Sequence, residues 1–221
     1  MDSYRNSLGD IRSVTRGWNC YYPEIRLLIH PASVRLTWIF CFLRVTPNTV
    51  TVIGGIFSGV CLWLFINESY FQALLCYVFR LILDYTDGAL ARYSGQTSKL
   101  GAFLDRIVDY LFYVSLWIAM GVALDSLVGA FVLVAAAASY ILVVDYVVYP
   151  RLHLLKRRAA IKQYFLDRGL IIGFAPFGVF ELWGLLFFVF SLPLNFFNIL
   201  SALVIFDLGQ RVYESLRYAT K

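Results

Sequence analysis

Six apolar stretches, residues 50–66, 71–90, 100–122, 127–149, 170–190 and 196–212, follow one another along the chain, with only short polar turns and one longer basic loop between them. A bilayer's hydrocarbon core takes roughly 20 apolar residues per helix. Within it every backbone N–H and C=O must be satisfied internally, so stretches of this length read as helices packed side by side. The composition leaves no competing class: 60% of the residues are hydrophobic, 18% aromatic and only 15% charged. Mean hydropathy is +0.71, which excludes a water-soluble globule and equally a disordered chain. The expected fold is all-α: a polytopic integral membrane protein with six transmembrane helices.

A shorter segment precedes these stretches. In residues 31–45, PASVRLTWIFCFLRV, Arg35 and Arg44 flank an apolar centre too short to span, which predicts an amphipathic helix lying along the interface. The chain thus divides into a cytoplasmic and juxtamembrane segment, 1–45, and a six-helix transmembrane domain, 46–221. The first thirty residues scatter Asp2, Arg5, Asp10, Arg12, Arg16, Glu24 and Arg26 among polar residues. No cleavable signal peptide is therefore expected, and insertion relies on the internal helices. Cys20, Cys41, Cys61 and Cys76 are too widely spaced for a CxxC pair or a metal cluster and read as apolar fillers.

In a membrane chain the net charge of +5 reads as orientation and attraction to anionic headgroups, not as nucleic-acid binding. Arg5, Arg12, Arg16, Arg26, Arg35 and Arg44 precede the first span, whereas the turn at 67–69 has no Lys or Arg. Arg92 and Lys99 mark the next turn, and the one around Asp125 has none. Arg151, Lys156, Arg157, Arg158, Lys162 and Arg168 then fill the loop 151–168, the turn around Pro193 has none, and Arg211, Arg217 and Lys221 close the chain. The alternation predicts that both termini are cytoplasmic and accounts for 17 of the 19 basic residues, leaving Arg80 and Arg106 within spans.

Charged groups inside spans are costly and usually functional. Asp84, Asp87, Asp105 and Asp109 stand at the cytoplasmic ends of the second and third spans. At about 100° per residue, Asp84, Asp87, Gly88, Ala91 and Arg92 fall within an arc of roughly 140°, and Gly101, Asp105 and Asp109 within about 80°. Two adjacent antiparallel helices thereby aim four carboxylates at one point. Such a group repels itself at low dielectric unless some members are protonated or a cation sits among them. Oxygen-only ligation favours Mg²⁺, Mn²⁺ or Ca²⁺, and Mg²⁺ typically works beside a substrate phosphate. Arg92 would add a second phosphate partner, while Gly88, Ala91 and Gly101 clear side chains where a bulky ligand must approach backbone. A purely structural alternative pairs Asp84 with Arg80, and Asp105 and Asp109 with Arg92 or Arg106. Arg80, one turn before Asp84, reads as a counter-ion or a substrate contact; His30 and His153 read as surface residues.

Residues 84–109, DYTDGALARYSGQTSKLGAFLDRIVD, have the form D-x2-D-G-x2-A-R-x8-G-x3-D-x3-D. This resembles the CDP-alcohol phosphotransferase (CDP-alcohol phosphatidyltransferase) signature at each of its eight fixed positions across 26 residues. TPNTVT, residues 46–51, is similar to the family's usual entry into its first span. The resemblance covers residues 31–120, and the remaining chain agrees mainly in its number of helices and its basic loop. It implies transfer of a substituted phosphoryl group from a CDP-linked donor to an alcohol, with CMP leaving. It also implies that Asp84, Asp87 and Asp105 bind a metal, Mg²⁺ or Mn²⁺, and that Asp109 is the general base and helps complete the metal site. Asp84, Gly88, Ala91, Arg92 and Gly101 would then accommodate the CDP moiety. By analogy with the family, the chain forms a homodimer.

The favoured donor is a CDP-activated lipid such as CDP-diacylglycerol and the acceptor a small polar alcohol, in phospholipid biosynthesis; the converse, a CDP-linked polar alcohol and a lipid acceptor, is the alternative. Direct in-line displacement is expected, since no histidine or cysteine nucleophile lies near the motif. Arg151, Lys156, Arg157, Arg158 and Lys162 are candidates for an acceptor phosphate or a lipid headgroup, against the plainer reading of positive-inside topology. Asp145, Glu181 and Asp207 are candidates for shaping the acceptor pocket. Two other classes compete. A cation transporter would carry its acids near the bilayer midplane, and a binding protein would tolerate a degenerate site. The acids at helix ends and the intact signature oppose both. The expected location is a prokaryotic cell membrane, with the site facing the cytoplasm.

Overall fold

The computed structural model describes residues 25–125 and 179–192 continuously, together with positions 11, 23, 134–135, 138–139, 142, 164, 168, 199, 202–203, 205–210 and 212–213. Among the described residues every regular element is helical. A π-helical turn, Ile25–Ile29, runs into α1 (His30–Phe42); α2 (Pro47–Ile66), α3 (Tyr70–Tyr93) and α4 (Lys99–Ala123) follow, and α5 is Val179–Val189. The chain divides into two compact units, Met1–Tyr113 and Val114–Lys221, with the boundary inside α4. The first three expected spans coincide with α2, α3 and α4 to within a few residues. The fourth lies largely outside the described residues, and the fifth and sixth are described only in part.

Three described helical segments are long and apolar enough to cross a membrane: Ile25–Phe42, Pro47–Ile66 and Lys99–Ala123. Their outer surfaces fit that reading, with Val52, Ile56, Trp63, Phe103 and Leu111 all exposed. Helix α3 is 24 residues long but carries Arg80, Asp84, Asp87 and Arg92, and those charges keep it out of the apolar set. The first segment differs from the short amphipathic helix expected at 31–45. It begins at Ile25 and is 18 residues long. Pro31 is the second residue of α1, and the five residues Ile25–Ile29 wind as a π turn immediately before that helix. Its packed face carries Ser33, Val34 and Thr37, while Leu27, Leu28, Ile39 and Phe42 point outward, an arrangement suited to lipid and not to water.

Local chemistry sets the helix ends. Thr46 is extended, its hydroxyl accepts from the Thr49 N–H, and Pro47 opens α2 without wasting a donor. Each described helix closes on a left-handed residue: Arg44, Glu68, Gly95, Asp125 and Ser191. Four of these turns are sealed by a six-to-one backbone bond of the Schellman type, such as Ser69 N–H to Leu64 O at 2.9 Å and Gln96 N–H to Ala91 O at 2.9 Å.

In the first unit, α1 and α2 both pack on α3. The buried stripe of α2, namely Pro47, Val50, Thr51, Gly54, Ser58, Cys61 and Phe65, is mostly small, which lets backbones approach where no hydrophobic drive separates protein from lipid. A Cβ on Gly54 would stand 3.9 Å from Leu83 Cβ. Val50, Leu83 and Leu90 form the buried centre, with Leu36, Phe40 and Phe57 against it. Cys41, Cys61 and Cys76 are free thiols; Cys61 donates to Ala73 O at 3.3 Å and Cys76 to Phe57 O at 3.2 Å, fastening α2 to α3. In the second unit the Trp117 indole N–H donates to Glu181 Oε1 at 3.0 Å. Glu181 is fully buried, as are Leu116, Met120 and Leu185.

Candidate active site

The first unit joins α3 to α4 through a five-residue turn. Gly95 takes φ +68° there, a conformation glycine adopts without penalty. Ser98 then caps α4, its hydroxyl accepting from the Gly101 N–H at 2.9 Å. The helices run antiparallel: Tyr77 stacks on Phe112 at 6.0 Å between centroids, Arg80 meets Asp109, and Asp84 faces both Asp105 and Asp109. Carboxylate oxygens of Asp84, Asp105 and Asp109 lie within 4.8 Å of one another, so these three side chains can hold a divalent cation. Their donor set, oxygen only, fits Mg²⁺ or Mn²⁺.

Asp87 is placed differently from the other three. It is buried on α3, and its Oδ2 accepts from the Thr51 hydroxyl of α2 at 2.6 Å. It still lines the narrow crevice shared by Asp84, Asp105 and Asp109, and it also lines the neighbouring pocket. That pocket, of about 220 Å³, is walled by Pro47, Asn48 and Thr51 of α2, Gly88, Ala91 and Arg92 of α3, and Gly101 and Asp105 of α4. A Cβ at Gly101 would stand 2.8 Å from Asn48 Oδ1, so a side chain there would crowd the pocket wall. A Cβ at Gly88 would meet the Arg92 guanidinium at 3.3 Å; glycine leaves room for Arg92 to fold back along its helix.

Arg80 is the buried cation of the site. Its Nε donates to Ser58 Oγ at 3.3 Å, Nη1 to Tyr113 Oη at 2.7 Å, and Nη2 to Asp109 Oδ1, with Asp84 Oδ1 at 3.5 Å from the same nitrogen. The guanidinium also lies 5.0 Å from the Phe112 ring centroid and 4.9 Å from that of Tyr113. Of the two readings open for Arg80, the geometry realises the counter-ion. The structural alternative's pairing of Asp84 with Arg80 is present, whereas Arg92 and Arg106 make no ion pair among the described residues.

Every signature residue therefore borders one of two adjoining spaces, a carboxylate crevice and a small-residue pocket. Sequence reasoning missed Thr51, Asn48, Ser58 and Tyr113 as neighbours of the site. A signal for the first two was present, since both lie in the TPNTVT stretch at the mouth of the first span. Ser58 and Tyr113 are ordinary residues of apolar helices and carried none. Arg151, Lys156, Arg157, Arg158, Lys162 and Asp145 lie outside the described residues. Glu181 and Asp207 are buried in the second unit.

A fold that turns small and charged residues inward and apolar ones outward, with carboxylates gathered at a polar pocket between consecutive helices, is that of a helical integral membrane protein with a candidate metal-binding site. The chain belongs to the CDP-alcohol phosphatidyltransferase family, whose sequence profile matches residues 44–206; this is a family of transferases. It is 38% identical over 105 residues to an archaetidylinositol phosphate synthase of Pyrococcus horikoshii, covering 48% of this chain and 55% of that one. It is 40% identical over 79 residues to an archaetidylinositol phosphate synthase of Aeropyrum pernix, covering 33% and 40%. A CDP-diacylglycerol–glycerol-3-phosphate 3-phosphatidyltransferase of Aquifex aeolicus is 30% identical over 66 residues, covering 30% and 37%. The matches thus span from 37% to 55% of the length of these curated relatives.

Proposed function

We propose that this protein catalyses metal-dependent transfer of a substituted phosphoryl group from a CDP-activated lipid to the hydroxyl of a small polar alcohol, releasing CMP on the cytoplasmic side. The observation that carries the reading is the juxtaposition of the three-carboxylate cluster with the pocket lined by Gly88, Ala91, Arg92 and Gly101. The pocket receives the CDP moiety, with Arg92 at its phosphates. Asp84, Asp105 and Asp109 hold Mg²⁺ or Mn²⁺, with Asp87 braced by Thr51 beside them. The bound ion supplies neutralisation of the phosphate charge that develops during transfer. Asp109 takes the proton of the acceptor hydroxyl. The acceptor oxygen bonds to the lipid-bearing phosphorus, the bond from that phosphorus to the bridging oxygen of CMP breaks, and CMP leaves with that oxygen. Arg80 donates to Oδ1 of Asp109 and so holds that carboxylate in place.

Among acceptors, an inositol phosphate is favoured because two of the relatives are named archaetidylinositol phosphate synthases. Glycerol 3-phosphate is the second reading, favoured by the name of the Aquifex relative. The test is metal-dependent CMP release by the purified full chain in mixed micelles, using CDP-diacylglycerol or CDP-archaeol, Mg²⁺ or Mn²⁺, and inositol phosphate or glycerol 3-phosphate, with the lipid product identified. Release that requires one acceptor and stops on chelation with EDTA is expected. CMP release that persists in EDTA would overturn the metal dependence, and its absence with every donor and acceptor would overturn the reaction.

A further inference from the structure

We propose that Arg80 is a positioning residue: a built-in cation that shares Asp84 and Asp109 with the bound metal, fixing the two carboxylates and lowering the negative charge the metal meets. The inference rests on the metal-dependent reading above. Arg80 stands outside the signature, four residues before its first aspartate. Its side chain is only 2% exposed, and all three of its nitrogens are engaged. They tie Ser58 of α2, Asp84 of α3 and Asp109 and Tyr113 of α4, so one planar group sets the relation of three helices at the level of the crevice. An arginine fork can do this where a lysine cannot, because its donors are held in a fixed plane. Two of the three clustered carboxylates therefore already face a positive charge before any metal arrives.

This separates Arg80 from a residue that merely holds helices together. Removing a structural strut loosens the site and weakens metal binding. Removing a shared cation leaves the same acids with more net negative charge, and metal binding tightens even as turnover falls. The experiment measures Mn²⁺ binding to the purified full chain by titration calorimetry and by electron paramagnetic resonance, beside CMP release, for wild type, Arg80→Gln and Arg80→Lys. Arg80→Gln is expected to bind Mn²⁺ about tenfold more tightly, a modest part of what a unit charge at this distance exerts, and to lose most of its kcat with little change in donor KM. Its melting temperature should also rise more on adding Mn²⁺ than that of wild type. Arg80→Lys, which keeps the charge without the fork, should bind Mn²⁺ as wild type does and recover kcat only in part. Unchanged or weaker Mn²⁺ binding in Arg80→Gln overturns the inference. Should that variant fail to fold, full kcat in Arg80→Lys overturns it, and wild-type Mn²⁺ affinity with reduced kcat supports it. A wild-type chain that binds no Mn²⁺ overturns the metal reading itself and this inference with it, whereas wild-type binding with unaltered variants overturns this inference alone.

Discussion

A carboxylate in a membrane helix persists only where another group answers its charge or accepts its hydrogen bond. Asp84 and Asp109 are answered by Arg80, and Asp87 by the Thr51 hydroxyl. On the proposed mechanism Asp109 moves a proton, so Asp109→Asn should lower kcat by about 10²- to 10⁴-fold, the usual contribution of a general base, while equilibrium binding of the CDP donor stays near wild type. Turnover within tenfold of wild type would remove Asp109 from that role. Thr51 lines the pocket and also aims Asp87. Losing such a support typically reduces metal affinity or activity by about 10- to 100-fold. Thr51→Val should therefore raise the Mg²⁺ concentration needed for half-maximal activity, and Thr51→Ser, which keeps the hydroxyl, should restore it. Equal metal titration curves for all three proteins would show that the 2.6 Å bond has no bearing on the metal. The identities of the four aspartates were legible from spacing alone. Their individual partners were not, because a hydroxyl or guanidinium many residues away carries no local pattern.

At the scale of elements, helix positions followed from apolar length, and α2, α3 and α4 begin and end close to where the sequence places them. The ends themselves were less legible. Glycine after a helix is the usual stop signal, yet only Gly95 among the five left-handed closing residues is glycine. Arg44, Glu68, Asp125 and Ser191 adopt a conformation that disfavours side chains by roughly 1–2 kcal/mol, offset at Arg44, Glu68 and Ser191 by the backbone bonds that seal the turns. Contact between α2 and α3 depends on the small stripe around Gly54, where a single Cβ reaches ordinary van der Waals distance from Leu83. Gly54→Ala should thus leave thermal stability in detergent nearly unchanged, whereas Gly54→Leu should reduce it by about 1–3 kcal/mol through overpacking. Equal melting temperatures for the two would mean that α2 can slide away from α3 freely.

At the scale of the molecule, the proposed reaction requires a charged site between helices to open to the compartment that supplies the nucleotide, so topology and chemistry constrain each other. The turn after α2 lacks basic residues, whereas Arg92 and Lys99 border the turn after α3, and the carboxylates lie toward the latter. In a chain freed of its four native cysteines, a cysteine at position 68 should react with a membrane-impermeant thiol reagent from outside intact cells, and one at position 95 only after the membrane is opened. Labelling of both from the same side would overturn the proposed orientation.

What the sequence determined by itself is what repeats locally: lipid-length apolar runs, the alternation of basic turns, and a motif whose spacing puts its acids on facing stripes of two consecutive helices. These follow from the 1.5 Å rise and 3.6-residue turn of a single helix, which need no knowledge of neighbours. Tertiary structure alone decided the immediate partner of each acid around the crevice that all four line. Asp84, Asp105 and Asp109 converge, while Asp87 turns to a threonine 36 residues earlier in the chain. It also decided that Arg80 reaches across to Asp109 and Tyr113, 29 and 33 residues away. The physical reason is that a side chain's partner depends on which faces three helices turn toward one another, and that choice is made by the packing of all their small and large residues together.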